Sequence, residues 1–197
     1  MKEIILASAS ERRSRILSDC GITHRVVPSG VEEDMSKGVL VSEIVQMNAF
    51  RKAEKIAEKE RDIIIIGADT LVVHGEDIIG KPGDGNAARG MLERFSGDKI
   101  EVCTGLCVID SAKGKKAVGS EKSSLFVAEL SKDNIEKYFR LLAPYDKAGG
   151  FSIEGIGSLI FDDIRGSYFN ILGLPMRRLG ELFEEVGLDI LDFVENV

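Results

Sequence analysis

An α/β domain built on a mixed β-sheet is the fold class this chain predicts, and three features predict it. An apolar strand at residues 2–7 runs straight into a helix with a hydroxyl cap at Ser10. The run Ile63-Ile64-Ile65-Ile66 carries no polar alternation, as expected of a strand covered on both faces. The middle of the chain reads as hairpins, which add antiparallel strands. Strand–helix units followed by hairpins give one mixed sheet. At 197 residues the chain is long enough for residues 1–197 to form a single domain with a full core.

The elements follow in order. After the strand at 2–7, Ser10 caps a helix through about Leu17 that Gly21 ends. Residues 24–28 form a second strand, and Val31-Glu32-Glu33-Asp34 lies in a loop. From Val41 to Glu60, Val45, Ala49, Ala53, Ile56 and Ala57 make an apolar stripe at helical spacing. The isoleucine strand runs to Ala68, with Asp69-Thr70 closing it. Leu71–Val73 and Ile78-Ile79 pair across Gly75-Glu76-Asp77. A Gly80–Asp84 loop leads to a helix ending near Phe95. Strands at 99–109 and 117–128 flank a turn around Gly114. Ser131 caps a helix with Ile135, Tyr138, Phe139 and Leu142 on one face. A glycine-rich segment spans Pro144–Gly157, a strand spans 158–164, and Pro175 opens a last helix that Gly187 stops.

Composition narrows the function. The net charge of −7 argues against a general nucleic-acid binder. Cys20, Cys103 and Cys107 are odd in number and lack a C-x-x-C pair, which fits buried thiols in a reducing compartment. His24 and His74 do not make a zinc spacing, and neither lies near a G-x-S-x-G nucleophile motif. With no signal peptide in view and no membrane-length apolar run, the expected location is the cytoplasm.

Within this acidic chain, Ser8-Ala9-Ser10-Glu11-Arg12-Arg13 concentrates hydroxyls and arginines at a helix start. Free N–H groups there favour anions, and an arginine fork binds two phosphate oxygens at once. A capped helix with a solvated basic first turn has the same sequence. Asp69 at the end of a doubly covered strand sits where open α/β sheets bind ligands, and a buried carboxylate is paired, metal-bound or catalytic. Turn capping by Asp69 is the simpler alternative. Glu32 and Glu33 read as an acidic loop. Lys52 falls at the edge of an apolar stripe, where lysine either snorkels to water or reaches inward. Lys81 and Lys147 lie in glycine-flanked loops. Several cations and carboxylates on one sheet edge suit phosphoryl chemistry with a divalent metal.

Taken as an ordered set, Ser8-Ala9-Ser10-x-Arg12-Arg13, Glu32-Glu33, Arg51-Lys52-Ala53, Gly67-Ala68-Asp69-Thr70, Gly80-Lys81-Pro82, Ser96-Gly97, Asp146-Lys147-Ala148-Gly149, and Gly166-Ser167-Tyr168 through Gly173-Leu174-Pro175 resemble the Maf family, the septum-formation-inhibitor-like proteins. The resemblance implies an inosine-triphosphatase-like (Maf/Ham1) fold, an elongated curved mixed sheet flanked by helices with a cleft between two lobes. It implies a homodimer that cleaves nucleoside triphosphates between the α- and β-phosphates, with Mg²⁺ or Mn²⁺ as cofactor and neither nucleic acid nor membrane as partner. By the same resemblance Asp69 is the catalytic base. Glu33 and Asp69 hold the metal, while Ser8, Ser10, Arg12, Arg13, Lys52 and Lys81 face phosphates. Arg12, Thr70 and Glu154 bear on base choice.

Arg12, Thr70 and Gly166-Ser167-Tyr168 resemble the subgroup acting on dTTP and UTP. Glu154 departs from it: that subgroup has Gln there, which both donates and accepts, whereas an ionised Glu only accepts. Glu at this position is found in a subgroup acting on 7-methyl-GTP. A non-catalytic nucleotide-binding regulator of cell division is the third reading. Acids beside a triphosphate favour chemistry over binding alone.

Overall fold

The computed structural model describes residues 2–35, 39–142 and 148–195. Strand β1 (Ile4–Leu6) turns into helix α1 (Glu11–Asp19), and β2 (Arg25–Val26) returns parallel to β1. Helix α2 (Val41–Ala57) precedes the long strand β3 (Ile64–His74), which hairpins into β4 (Asp77–Ile79). Helix α3 (Gly85–Phe95), strands β5 (Lys99–Asp110) and β6 (Lys115–Val127), and helix α4 (Lys132–Leu142) follow. Turns of 3-10 helix at Ala148–Gly150 and Gly155–Ile160 lead to β7 (Phe161–Arg165). Helices α5 (Tyr168–Ile171) and α6 (Met176–Glu185) and a 3-10 turn at Ile190–Phe193 come last. The strands form one seven-stranded mixed sheet, ordered β2-β1-β3-β5-β6-β7 with β4 paired to β3, so the expected mixed α/β class is the one found.

The described chain divides into two compact units. The first holds the residues up to Thr70, Thr104–Glu121 and those from Phe169 onward; the second holds Leu71–Cys103 and Lys122–Tyr168. Strands β3, β5 and β6 each contribute one stretch to each unit.

The first unit carries the parallel pairing. Ile4, Ile5 and Leu6 lie beside Ile64, Ile65 and Ile66, which explains an isoleucine run without alternation. Helix α2 packs here through Ala49, Ala53 and Ile56 against Ile5, Ile65, Cys107 and Ile109. Small residues set how near it comes. A methyl group on Gly67 of β3 would overlap the Ala49 carbonyl oxygen, and one on Gly105 of β5 would overlap the Val45 carbonyl. Two glycines therefore admit the helix backbone almost onto the strands.

The second unit is antiparallel, with β3 paired to β4 and β6 to β7. Leu92, Phe95, Ile135, Phe139, Phe151 and Ile153 are buried within it. His74 meets the Phe95 ring edge-on at 5.2 Å and hydrogen-bonds Asp98 at 2.8 Å.

Three boundaries differ from expectation by three residues or more. Strand β3 does not close at Asp69-Thr70 but continues to His74, because β5 and then β4 pair with it after β1 has stopped. The strand expected from residue 158 starts at Phe161: Gly155 adopts φ +59° and Gly157 packs on the Ser152 carbonyl, winding 155–160 into 3-10 turns. Helix α2 ends at Ala57 rather than Glu60, its exit tightened by the Lys59 N–H bond to the Ile56 carbonyl at 3.0 Å. Ser10 does cap α1, its Oγ accepting from the Arg13 N–H at 3.4 Å. Among the described residues, no helix is long and apolar enough to cross a membrane.

Replacing Gly67 or Gly105 with Ala forces α2 off the sheet. Each change is expected to cost about 1–3 kcal/mol, the scale of overpacking a filled interior. Denaturant unfolding measures the loss. Gly75→Ala, at a turn with open space around it, serves as the comparison for strain at positive φ alone.

Candidate functional site

Strand β1 ends opposite Ile66, three residues before Asp69, so Asp69 lies just past the carboxyl end of a parallel neighbour. Its side chain points into the first unit, and the residue is only 2% exposed. Oδ1 accepts from Lys52 Nζ at 2.7 Å and Oδ2 accepts from Asn48 Nδ2 at 2.9 Å. Both donors stand on α2, one turn apart and on the same face. The helix can grip a strand side chain in this way because Gly67 and Gly105 let it approach.

The Lys52 ammonium is shared. It donates to Glu33 Oε1 at 2.6 Å as well as to Asp69, and lies 3.5 Å from the Ala68 carbonyl oxygen. The lysine is buried while Glu33 is half exposed, so one cation balances an inner and an outer acid. Two carboxylates and an ammonium in contact can take up a proton, hold a hard cation or release the lysine toward an anion. Among the described residues, no three His, Cys, Asp or Glu side chains converge on a metal position. Glu33 and Asp69, both within 2.7 Å of one Nζ, nonetheless supply the one or two carboxylates that Mg²⁺ takes from a protein when phosphates and water complete its shell. The donor set fits the expected metal in chemistry and number.

Arg13 is the centre of a second buried cluster. Its Nε donates to the Gly173 carbonyl at 2.8 Å, Nη1 to Ser8 Oγ at 2.9 Å and to the Ala68 carbonyl at 3.0 Å, and Nη2 to Thr70 Oγ1 at 2.9 Å. Thr70 continues to Thr104 Oγ1 at 2.9 Å, whose hydroxyl donates to the Asn170 carbonyl at 3.0 Å. Burial lowers the Arg13 pKa from its ordinary value, while Asp69 and Glu33 raise it and Arg12 lowers it. The guanidinium remains charged. In this structure Arg13 and Thr70, expected at a phosphate and at the base, are bonded to protein partners.

The other expected residues fall as follows. Ser8 is buried and accepts from the Ser10 N–H at 3.3 Å; Ser10 is the helix cap, and Arg12 is half-buried in the first turn of α1. Lys81 is exposed in the loop after β4, and Glu154 is half-buried ahead of the 3-10 turn at 155–160; both belong to the second unit. Asp146 and Lys147 lie outside the described residues. Ser8, Ser10, Arg12, Arg13, Glu33, Lys52, Asp69 and Thr70 all belong to the first unit, in which hydrogen bonds join Glu33, Lys52 and Asp69, and separately Ser8, Arg13 and Thr70.

Asn48, Thr104 and the Asn170 and Gly173 carbonyls are participants that the sequence reading passed over. Asn48 had a signal: it sits four residues before Lys52, next to Ala49 in the apolar stripe, where a polar side chain needs a buried partner. Thr104 and the two carbonyls had none, since only the folded chain brings them to Arg13 and Thr70.

A family model described as "Maf-like protein" matches residues 3–186. A dTTP/UTP pyrophosphatase of Dictyoglomus thermophilum is 41% identical over 192 residues, 96% of this chain and 99% of that protein. Proteins of the same name from Clostridioides difficile and Caldicellulosiruptor bescii are 39% and 37% identical, over 92% and 97% of this chain and 94% and 98% of theirs. The Staphylococcus aureus Ham1 protein, a solved structure, aligns at 16% identity over 65% of this chain and 73% of that one, with a TM-score of 0.45.

The Arg13 cluster sets a stability test. Arg13→Met keeps much of the volume but takes the donor from the Gly173 and Ala68 carbonyls, while Ser8 and Thr70 keep Ser10 and Thr104 as partners. A loss of about 2 kcal/mol or more is expected, since each unpaired buried group costs about 1–3 kcal/mol. Arg13→Lys recovers only part of this, because an ammonium cannot reproduce the planar fork. Urea unfolding of both variants checks the order.

Proposed function

This chain belongs to the Maf family, and from that membership and the geometry of Asp69 we propose that it is a nucleoside triphosphate pyrophosphatase, releasing the nucleoside monophosphate and pyrophosphate from dTTP and UTP. The observation that carries the proposal is the Asp69–Lys52–Glu33 contact, an inner and an outer carboxylate sharing one buried ammonium. It lies in the same unit as the capped start of α1, and Arg13 bonds to both Ser8 and the carbonyl of Ala68, next to Asp69. The names of relatives at 37–41% identity support the choice of dTTP and UTP.

In this reading the first-turn N–H groups of α1, with Ser8, Ser10 and Arg12, receive phosphate oxygens. Arg13 keeps that turn in register with β3. Asp69 orients a water and takes its proton as the water oxygen bonds to the α-phosphorus and the bond to the bridging oxygen breaks. Lys52 offsets the charge that grows on the departing pyrophosphate. Glu33 and Asp69 are the residues that hold Mg²⁺ or Mn²⁺, which when bound draws charge from the phosphate oxygens. A homodimer, supported by the family resemblance alone, and a cytoplasmic location, supported by the odd number of unpaired cysteines, complete the proposal.

Asp69→Asn is expected to lower turnover by about 10²–10⁴-fold, the range for a lost general base, while nucleotide binding persists. Pyrophosphate release measures it, and full residual activity would remove Asp69 from the chemistry. Chelation is expected to stop turnover, with Mg²⁺ or Mn²⁺ restoring it; turnover indifferent to EDTA would remove the metal. Glu154 supports a second reading, and a panel of dTTP, UTP, CTP, GTP and 7-methyl-GTP separates the two. We expect dTTP and UTP to lead; a strong preference for 7-methyl-GTP would reverse the subgroup. Nucleotide binding without pyrophosphate release would leave a regulator.

A further inference from the structure

We propose that Asn48 is a positioning residue of this site: its carboxamide holds the Asp69 carboxylate in one orientation and ties it to the backbone beside Glu33. The inference rests on the reading of Asp69 as the group that handles the attacking water.

Asn48 has 0% exposure, so every polar atom it carries needs a partner inside the protein. Its Oδ1 accepts the Asp34 N–H at 2.9 Å. Its Nδ2 donates twice, to the Asp34 carbonyl at 2.9 Å and to Asp69 Oδ2 at 2.9 Å. One amide thus meets both backbone groups of Asp34, as a neighbouring strand residue does in a hydrogen-bonded pair. That fixes where residue 34 lies and which way its peptide faces, with Glu33 one residue before it. The remaining N–H goes to the oxygen of Asp69 that Lys52 does not hold.

Few side chains meet these requirements. A carboxylate at position 48 would turn lone pairs toward Asp69 Oδ2 and the Asp34 carbonyl. An apolar residue would leave the Asp34 N–H and carbonyl without these partners. Asn48 also differs from Lys52 in kind. Lys52 is charged, so incoming phosphates compete for it; Asn48 is neutral, and its grip on Asp69 persists when Lys52 turns to the substrate.

The test compares Asn48→Ala and Asn48→Asp with the wild-type chain. It reads kcat and KM on the best triphosphate of the panel, nucleotide affinity by calorimetry in EDTA, and melting temperature. Asn48→Ala is expected to lower kcat about 10–100-fold, the range for outer hydrogen-bond partners that orient a reacting group, with KM and metal-free affinity little changed. Asn48→Asp, nearly equal in volume, is expected to lower kcat further. A packing role gives the opposite order, with Asp preserving kcat and Ala losing stability alone; that order overturns the proposal, as does wild-type kcat in Asn48→Ala. Should the Ala variant fail to fold, Asn48→Gln keeps every donor and acceptor but displaces them by one methylene. Its kcat is expected to fall at a temperature well below its melting point, where the chain is fully folded, and an unchanged kcat overturns the proposal. A wild-type chain that releases no pyrophosphate from any triphosphate overturns the functional reading and this role with it. An active wild type matched by Asn48→Ala overturns the positioning role alone.

Discussion

The approach of helix α2 to strands β3 and β5 is the constraint on which the rest of the first unit depends. Glycines at 67 and 105 leave room for the helix backbone itself, since a methyl on either would overlap a helix carbonyl. Alanines at 49 and 53 then meet the strands without holding them apart. A lysine could span a wider gap, because its stem is long. Asparagine has one methylene before its amide, so the 2.9 Å bond from Asn48 to Asp69 exists only at this separation. The buried acid is therefore held first by backbone packing and only then by charge.

A second dependence runs through Arg13. Its guanidinium ties the β1–α1 turn, the Ala68 carbonyl of β3, the Thr70 hydroxyl and the Gly173 carbonyl into one cluster. These segments are far apart in the chain, and no apolar contact could set their relative positions as closely as a planar fork does. Arg13 and Lys52 with Asp69 and Glu33 make two cations and two anions, so these four are balanced before any ligand arrives and Arg12 is the added positive charge. That balance resolves a tension in the sequence. Arginines at a helix start oppose the helix dipole, yet Arg13 does not rely on the helix end for a partner.

The sequence made the parallel strands legible because Ile63–Ile66 and residues 2–7 lack alternation, and the hydroxyl caps Ser10 and Ser131 were readable from local chemistry, whereas the Asp84 cap was read only as part of a loop. The continuation of β3 through Asp69 was not, because a polar pair after Gly67-Ala68 imitates a strand end; only pairing with distant β5 keeps it extended. Residues 158–160 misled for the reverse reason: Leu159 and Ile160 look like strand, but the turns that begin at Gly155 and Gly157 carry through them. The gathering of Lys52 and Glu33 with Asp69 was legible as a set of residue types, not as geometry. Arg13 shows the limit of such reading: a letter at a helix start that suits a ligand also has protein partners that only the folded chain reveals.

The two acids that share Lys52 are not equivalent, and the difference orders what a substrate does. Glu33 is half exposed, so its attraction to the ammonium is screened by water and weak. Asp69 is 3% exposed in its side chain, where an unpaired charge is costly. Under the proposed reaction, an approaching anion would draw Lys52 from Glu33 before Asp69 and so free the outer carboxylate first. A freed Glu33 beside a phosphate would then be the carboxylate with most to gain from the proposed divalent ion. Meanwhile Asp69 retains Asn48 on Oδ2, so it need not rotate to follow the lysine. Charge in this site is free to move between partners because the inner carboxylate is held in part by a group that carries none.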